Sequence, residues 1–267
     1  MKKIILITGA TDGIGLEASK KLLMKDHHVV IHGKDAKKLQ NCIFLLSKFG
    51  TVDSLISDLS DLNSVRSLAS KILKNYSRID VLINNAGVLK TTHSEKKRID
   101  IRFVVNTIAP YLLTKKILPL LGNGGRVINV ASAGQASVDI DALLGAFTGL
   151  DDMQAYCQSK LAMIMWSKFM SNSIDSKETV FLSVNPGSLL ATKMVKIAFG
   201  IKGKDVNIGA NVLVHLAIQE KSQNISGKYY CNDSKQFTSP HQDALNPKNC
   251  SNVVKAIDTV ISGGNYT

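Results

Sequence analysis

The sequence predicts a single α/β domain spanning residues 1–267, a doubly wound parallel sheet with helices on both faces. Three observations support this. Short apolar runs alternate with longer segments of helical periodicity, the pattern of repeated strand–helix–strand units. A glycine-rich turn, Thr8-Gly9-Ala10-Thr11-Asp12-Gly13-Ile14-Gly15, stands between the first run and the first amphipathic segment. No linker rich in Pro, Gly or Ser, no low-complexity tract and no internal repeat divides the chain, and one large domain of this length buries a sizeable core.

Residues 3–8 read as a buried parallel strand, an apolar run stopped by the glycine turn. Lys2 and Lys3 resemble the head of an export signal, but the apolar stretch behind them is too short to serve as one. Residues 13–25 form a helix, with Ile14, Ala18 and Leu22 on one face and Glu17, Lys20, Lys21 and Lys25 opposite. The alternation continues as strand 29–32, helix 35–48, strand 52–57, helix 61–75 and strand 81–84. A long helix is expected over about 95–121, with Pro110 inside it costing a hydrogen bond or kinking it. Strand 127–130, helix 153–172, strand 180–184 and a short strand at 228–230 complete the pattern. Segments 133–152 and 188–206 interrupt it. Both begin at carboxyl ends of strands, where open α/β sheets bind ligands.

Hydrophobic residues make up 45% and charged residues 20%, as in ordinary soluble proteins. No run of roughly 18 apolar residues is present, so no membrane span is expected. Cys42, Cys157, Cys231 and Cys250 are scattered without a C-x-x-C pair. That spacing predicts no metal site, and buried free thiols suit a reducing cytoplasm. The net charge is +12, but its lysines fall as dispersed pairs (Lys20-Lys21, Lys37-Lys38, Lys96-Lys97, Lys115-Lys116) without interleaved aromatics. This reads as a solvated basic surface rather than a nucleic-acid face, and it helps attract a polyanionic cofactor.

The glycine turn has the context of a phosphate-binding loop. Gly9 permits the tight turn, Gly13 lets backbone approach a pyrophosphate, and Gly15 lets the helix pack closely on the strand. The unpaired N–H groups of the helix N-terminus then meet the phosphates. Thr11, Asp12 and Ile14 complete the loop. After the second strand comes His32-Gly33-Lys34, with no carboxylate before Asp35. Gly33 leaves room, and Lys34 with His32 supplies positive charge for a 2′-phosphate. NADP(H) is therefore favoured over NAD(H), which stays open, and Asp12 argues the other way. Asp58-Leu59 and Asn84-Asn85-Ala86-Gly87 end two further strands, where they grip adenine and ribose or serve as Asx-type turns. Tyr156 and Lys160 are four residues apart and share a helix face. A phenol near pKa ~10 becomes a useful acid–base catalyst beside such a cation.

In this order, T-G-x-x-x-G-I-G, N-N-A-G, a serine after the fifth strand, Y-x-x-x-K and N-P-G resemble the short-chain dehydrogenase/reductase family, with its Rossmann-type fold. The resemblance runs from Lys3 to about Tyr230. Arg126-Val127-Ile128-Asn129-Val130-Ala131-Ser132-Ala133, the long gap that follows, and Tyr156-Cys157-Gln158-Ser159-Lys160-Leu161-Ala162 are similar to its retinol-dehydrogenase-like branch. The resemblance implies Tyr156 as proton donor, Lys160 as its cation and ribose contact, and Ser132, rather than Ser137, as donor to the substrate oxygen. It implies Asn106 as holder of a water linking Lys160 to solvent. Pro186, Gly187 and Thr192 fall on the nicotinamide-side loop, Thr192 one residue later than the family pattern places it. It also implies a homodimer or homotetramer packed through the helices of Asn106 and Tyr156.

The expected activity is hydride transfer between NADP(H) and a small lipophilic carbonyl or alcohol. Its pocket would be walled by Leu189, Leu190, Met194, Val195, Ile197, Ala198 and Phe199 on one side. Ile140, Leu143, Leu144, Phe147 and Leu150 would wall the other. The alternative is a catalytically idle nucleotide-sensing or scaffold protein on the same fold.

Overall fold

A computed structural model describes residues 1–90, 98–122, 124–147, 149–174, 178–219 and 225–263. The first half runs β1 (Ile4–Ile7), α1 (Gly13–Leu23), β2 (His28–Gly33), α2 (Ala36–Leu46), β3 (Val52–Ile56), α3 (Leu62–Asn75) and β4 (Val81–Asn84). A short helix α4 (Ile101–Phe103), a π-helical turn (Val104–Ile108) and α5 (Ala109–Leu121) follow. Then come β5 (Gly125–Val130), α6 (Ile140–Leu143), α7 (Asp152–Ser173), β6 (Thr179–Asn185) and α8 (Lys193–Phe199). The chain continues through α9 (Asn207–Ile218), β7 (Lys228–Cys231), β8 (Gln236–Thr238) and α10 (Pro247–Ser262).

The strands form one sheet in the order β3-β2-β1-β4-β5-β6-β7-β8, parallel through β7 with β8 antiparallel at the edge. Alternation along the strands feeds two cores. Leu6, Val30, Leu82, Val127 and Phe181 face a layer containing α3, α5, α7 and α10. Ile5, Ile7, Val29, Ile31, Val81, Ile83, Ile128 and Leu182 face α1, α2 and α9. Strands apolar on both faces are what a covered parallel sheet requires. The chain leaves β1 toward β2 on one side and returns to β4 on the other. That reversal opens a crevice at the carboxyl ends of the strands.

Several helices begin at capping residues. Asp35 accepts from Lys38 N, Asp61 from Asn63 N and Ser64 N, and Asp151 forms a reciprocal capping box with Gln154. Helices expected from residues 35, 61 and 153 thus start at 36, 62 and 152. The long helix expected over 95–121 is divided instead. Its first residues, 95–97, lie outside the described ones, and the π turn separates α4 from α5. Pro110 sits in the first turn of α5, where a missing N–H is tolerated.

Helices α9 and α10 and strand β8 were not expected. Helix α10 buries Cys250, Val253, Val254, Ile257 and Val260 in the core that holds Tyr111 of α5 and Trp166 of α7. Lys115 of α5 donates to Asp258 of α10 at 2.8 Å, and Tyr111 donates to the same carboxylate. Among the described residues, no helix is long and apolar enough to cross a membrane.

Candidate active site

A cavity of about 500 Å³ lies in the crevice, reaching from Lys34 and Asp58 to Ser132, Tyr156 and Met153. Every residue expected in catalysis or cofactor binding lines it except Gly15 and Asn106.

At the nucleotide end, backbone geometry explains the three glycines. Gly9 has φ +63°, and a Cβ there would fall 2.7 Å from Ala86 Cα. Gly13 has φ +53° and opens α1. A Cβ on Gly15 would fall 2.5 Å from Asn85 Nδ2 and 2.7 Å from Gly9 O, so only glycine lets α1 close on the turn. Gly33 packs closely against a side chain instead, with Thr11 Cγ2 2.5 Å from where its Cβ would lie. The crevice, the glycines and the α1 N-terminus together fit a dinucleotide.

Several polar side chains here are bonded within the protein. The Asn85 amide donates to Thr8 O at 2.9 Å and Gly9 O at 3.0 Å, tying β4 to the glycine turn. Asp58 accepts from Ser60 N at 2.8 Å, an Asx-type turn. Asp12 caps α1 by accepting from Gly13 N at 2.7 Å. His32, expected to carry positive charge, is buried and neutral. Its Nδ1 accepts from Gly9 N at 3.3 Å and its Nε2 lies 3.0 Å from Ser57 O. Burial pushes its pKa down to about 4, outweighing the Ser57 contact. Lys34, exposed on the cavity wall, is left as the cation beside Gly33.

At the other end, α7 brings the i,i+4 pair to the cavity. Its start is fixed by the capping box and by Arg102, a buried guanidinium bonded to Asp100 and Asp152 and donating to Leu89 O at 3.0 Å. Lys160 is 3% exposed and donates to Val130 O at 2.7 Å. Burial lowers its pKa from 10.5 to about 8. Its Nζ lies 5.7 Å from the Tyr156 ring centroid. Tyr156 and Ser132 both line the cavity at this end. Burial raises the Tyr156 phenol pKa, and the neighbouring Ser132 side chain offsets part of that rise.

Ser132 Oγ also accepts from Gly134 N at 3.1 Å, and Tyr229 donates to Ser132 O at 2.9 Å. Ser137 is exposed and off the cavity wall. Asn106 is fully buried in the π turn. Its Nδ2 donates to Val88 O and Ser159 Oγ, both at 2.9 Å, and its Oδ1 accepts from Val88 N at 2.8 Å. A Cβ on Gly87 would be 3.3 Å from both Asn106 Oδ1 and Lys160 Nζ, so the two groups flank one glycine.

The pocket walls differ from expectation. Leu189, Leu190, Met194, Val195 and Phe199 line the cavity, but Ile197 and Ala198 do not. None of Ile140, Leu143, Leu144, Phe147 and Leu150 lines it. Leu143 belongs to the core, with Ile140, Leu144 and Leu150 packed against it, and Phe147 is exposed. The second wall is built by Val88, Leu89, Ile101, Val105 and Met153. Ile101 and Val105 are one helical turn apart, a signal present in the sequence once Asn106 is placed. Thr192 caps α8 and accepts from Val195 N at 3.2 Å. Its methyl lies 3.4 Å from where a Gly13 Cβ would be, across the crevice from the glycine turn.

A family model described as short chain dehydrogenase matches residues 3–199. The chain belongs to the short-chain dehydrogenase family. Retinol dehydrogenase 13 of Mus musculus is 26% identical over 264 residues, covering 90% of this chain and 79% of the relative. The structure of an uncharacterized protein from Mycobacterium paratuberculosis superimposes with a TM-score of 0.80 at 22% identity, covering 99% of this chain and 95% of that one. A short-chain dehydrogenase from Shigella flexneri complexed with NADP gives 0.70 at 25% identity, covering 86% and 97%. This short-chain dehydrogenase is thus an oxidoreductase that works with a nicotinamide cofactor, on the retinol-dehydrogenase-like branch. Its sheet and flanking helices are those of the Rossmann-type fold.

Proposed function

We propose that the protein transfers hydride between NADP(H) and a small lipophilic carbonyl or alcohol, with Tyr156 as general acid and base. The observation that carries this reading is convergence. Tyr156, Ser132 and Lys160 meet at one end of a cavity whose other end holds the glycine turn and Lys34. Gly9, Gly13 and Gly15 would shape the turn around the pyrophosphate, with Thr11, Asp12 and Ile14 beside it. Lys34 would pair with the 2′-phosphate, and Asp58, Leu59, Asn85, Ala86 and Gly87 would border the adenosine. Pro186, Gly187 and Thr192 would border the nicotinamide.

The cofactor, when bound, supplies or accepts the hydride. The Tyr156 hydroxyl, kept protonated by burial, gives its proton to a carbonyl oxygen in reduction, and the phenolate left behind takes the proton of an alcohol in oxidation. The Ser132 hydroxyl, beside the Tyr156 phenol, holds that oxygen as its charge changes. The Lys160 ammonium supports the phenolate and contacts the ribose. Asn106, beside Lys160 across Gly87, holds a water that returns protons from solvent. The wall of Val88, Leu89, Ile101, Val105 and Met153 favours an apolar substrate body.

We further propose that the chain is one domain, since a single sheet carries every described strand. It would work in the cytoplasm, whose reducing conditions suit its four free cysteines. A dimer packed through the helices of Asn106 and Tyr156 would have to accommodate α10, which shares their core. We therefore favour a monomer over the expected homodimer or homotetramer.

The test is a panel of hydrophobic aldehydes, ketones and alcohols, followed by nicotinamide absorbance with NADP(H) and NAD(H). Turnover of lipophilic members with preference for NADP(H) is expected. Tight cofactor binding without turnover across the panel would favour the idle nucleotide-sensing or scaffold protein instead.

A further inference from the structure

The loop proposed to face the nicotinamide holds itself by one side-chain bond among the described residues, from Gly187 N to Asn185 Oδ1 at 3.2 Å. Pro186 has no N–H to donate, and Gly187 sits at φ +124°, a conformation that glycine adopts freely but does not enforce. A turn outside the matched family segment supplies further restraint. Asp233, between β7 and β8, accepts from Ser188 N at 3.0 Å on one carboxylate oxygen. Its other oxygen accepts from Ser188 Oγ at 2.6 Å and from Asn185 Nδ2 at 2.8 Å. One carboxylate thereby brackets the Pro-Gly pair from both ends. Asn232 adds two bonds, its N–H donating to Asn185 O at 3.0 Å and its Nδ2 to Pro186 O at 2.9 Å.

We infer that Asp233 is a positioning residue, a splint that sets the loop 185–188 for the nicotinamide half of the cofactor. The inference rests on the proposed function. Asp233 does not line the cavity, whereas Asn185, Pro186, Gly187 and Ser188 do, so it acts through them. Three donors converge on it, which favours the ionised carboxylate. Partial burial raises its pKa, but the bonds from Ser188 and Asn185 outweigh that and hold it below the ordinary value. Asparagine at this position is nearly isosteric, yet it would turn an NH₂ toward at least one of these donors.

The experiment compares ligands that span the whole site with ligands that reach one end of it. Dissociation constants are measured for NADPH and 2′,5′-ADP, and for NADH and ADP, on wild type, Asp233→Asn and Ser188→Ala. Turnover and melting temperature are recorded alongside. Asp233 is solvent-exposed, so the effect is modest. Asp233→Asn should weaken the dinucleotides roughly five- to tenfold and lower kcat, leaving the adenosine fragments within about twofold. Ser188→Ala, which removes one donor with little risk to folding, should move the same ratio in the same direction by less. Equal losses for dinucleotide and fragment would show general destabilisation and overturn the inference. So would unchanged dinucleotide affinity in both variants. Wild type that binds none of the four ligands would overturn the nucleotide reading itself, and the inference with it.

Discussion

Replacing Lys160 with methionine should make the protein more stable while ending its catalysis. The side chain is 3% exposed, and among the described residues it has a carbonyl partner, Val130 O, but no carboxylate. Its pKa falls from 10.5 to about 8 through burial. At ~1.4 kcal/mol per unit, holding the ammonium in the fold costs ~3 kcal/mol at neutral pH. Losing the bond to Val130 returns ~1 kcal/mol of that, so Lys160→Met should gain ~2 kcal/mol. The sign follows from proton counts. Between pH ~8 and ~10.4 the unfolded chain keeps this proton and the folded one has released it, so wild-type stability rises with pH across that window. The full cost applies below the window. Urea unfolding of both proteins at pH 7 and pH 9.5 measures the difference. The variant should lead at pH 7, and its lead should shrink at pH 9.5. Equal stability at pH 7, or a lead that ignores pH, would refute the reasoning.

Lys34→Asp should convert a roughly ten- to hundredfold preference for NADP(H) into a preference for NAD(H), because a carboxylate repels the 2′-phosphate yet accepts from a ribose hydroxyl. The ratio of kcat/KM for the two cofactors reads this out, and an unchanged ratio would make Lys34 a surface lysine. Ser132→Ala should lower kcat by ~10²-fold through loss of a donor to the substrate oxygen, whereas Ser137→Ala, off the cavity wall, should stay close to wild type. Light scattering should find a monomer, and a stable dimer that survives dilution would mean that α10 leaves an adequate interface beside it.

What the sequence made legible followed from local rules. Val81–Asn84 was placed to the residue because a buried run bounded by turns has few readings. The glycine turn was assigned position by position because backbone conformation dictates glycine at Gly9 and close approach dictates it at Gly15. Features set by tertiary surroundings were not legible. Helix α9 is nearly apolar throughout, so its periodicity is weak. Helix α10 does carry local signals, Asn246 and Pro247 at its start and Cys250, Val253, Val254, Ile257 and Val260 at helical spacing, and it packs against α5 and α7. His32 reads as a cation until burial between Gly9 N and Ser57 O makes it neutral. Segment 133–152 shows the same limit. Its leucines mark an apolar surface, but composition does not say whether that surface meets a ligand or the core.

The proton transfer assigned to Tyr156 is tested most directly by Tyr156→Phe, which keeps the ring and removes only the hydroxyl. The variant and wild type are compared for NADPH affinity and for turnover on the best substrate of the panel. Affinity should stay within about threefold while kcat falls by ~10²-fold or more. Retention of most of the turnover by Tyr156→Phe would contradict the assignment of this hydroxyl as the general acid.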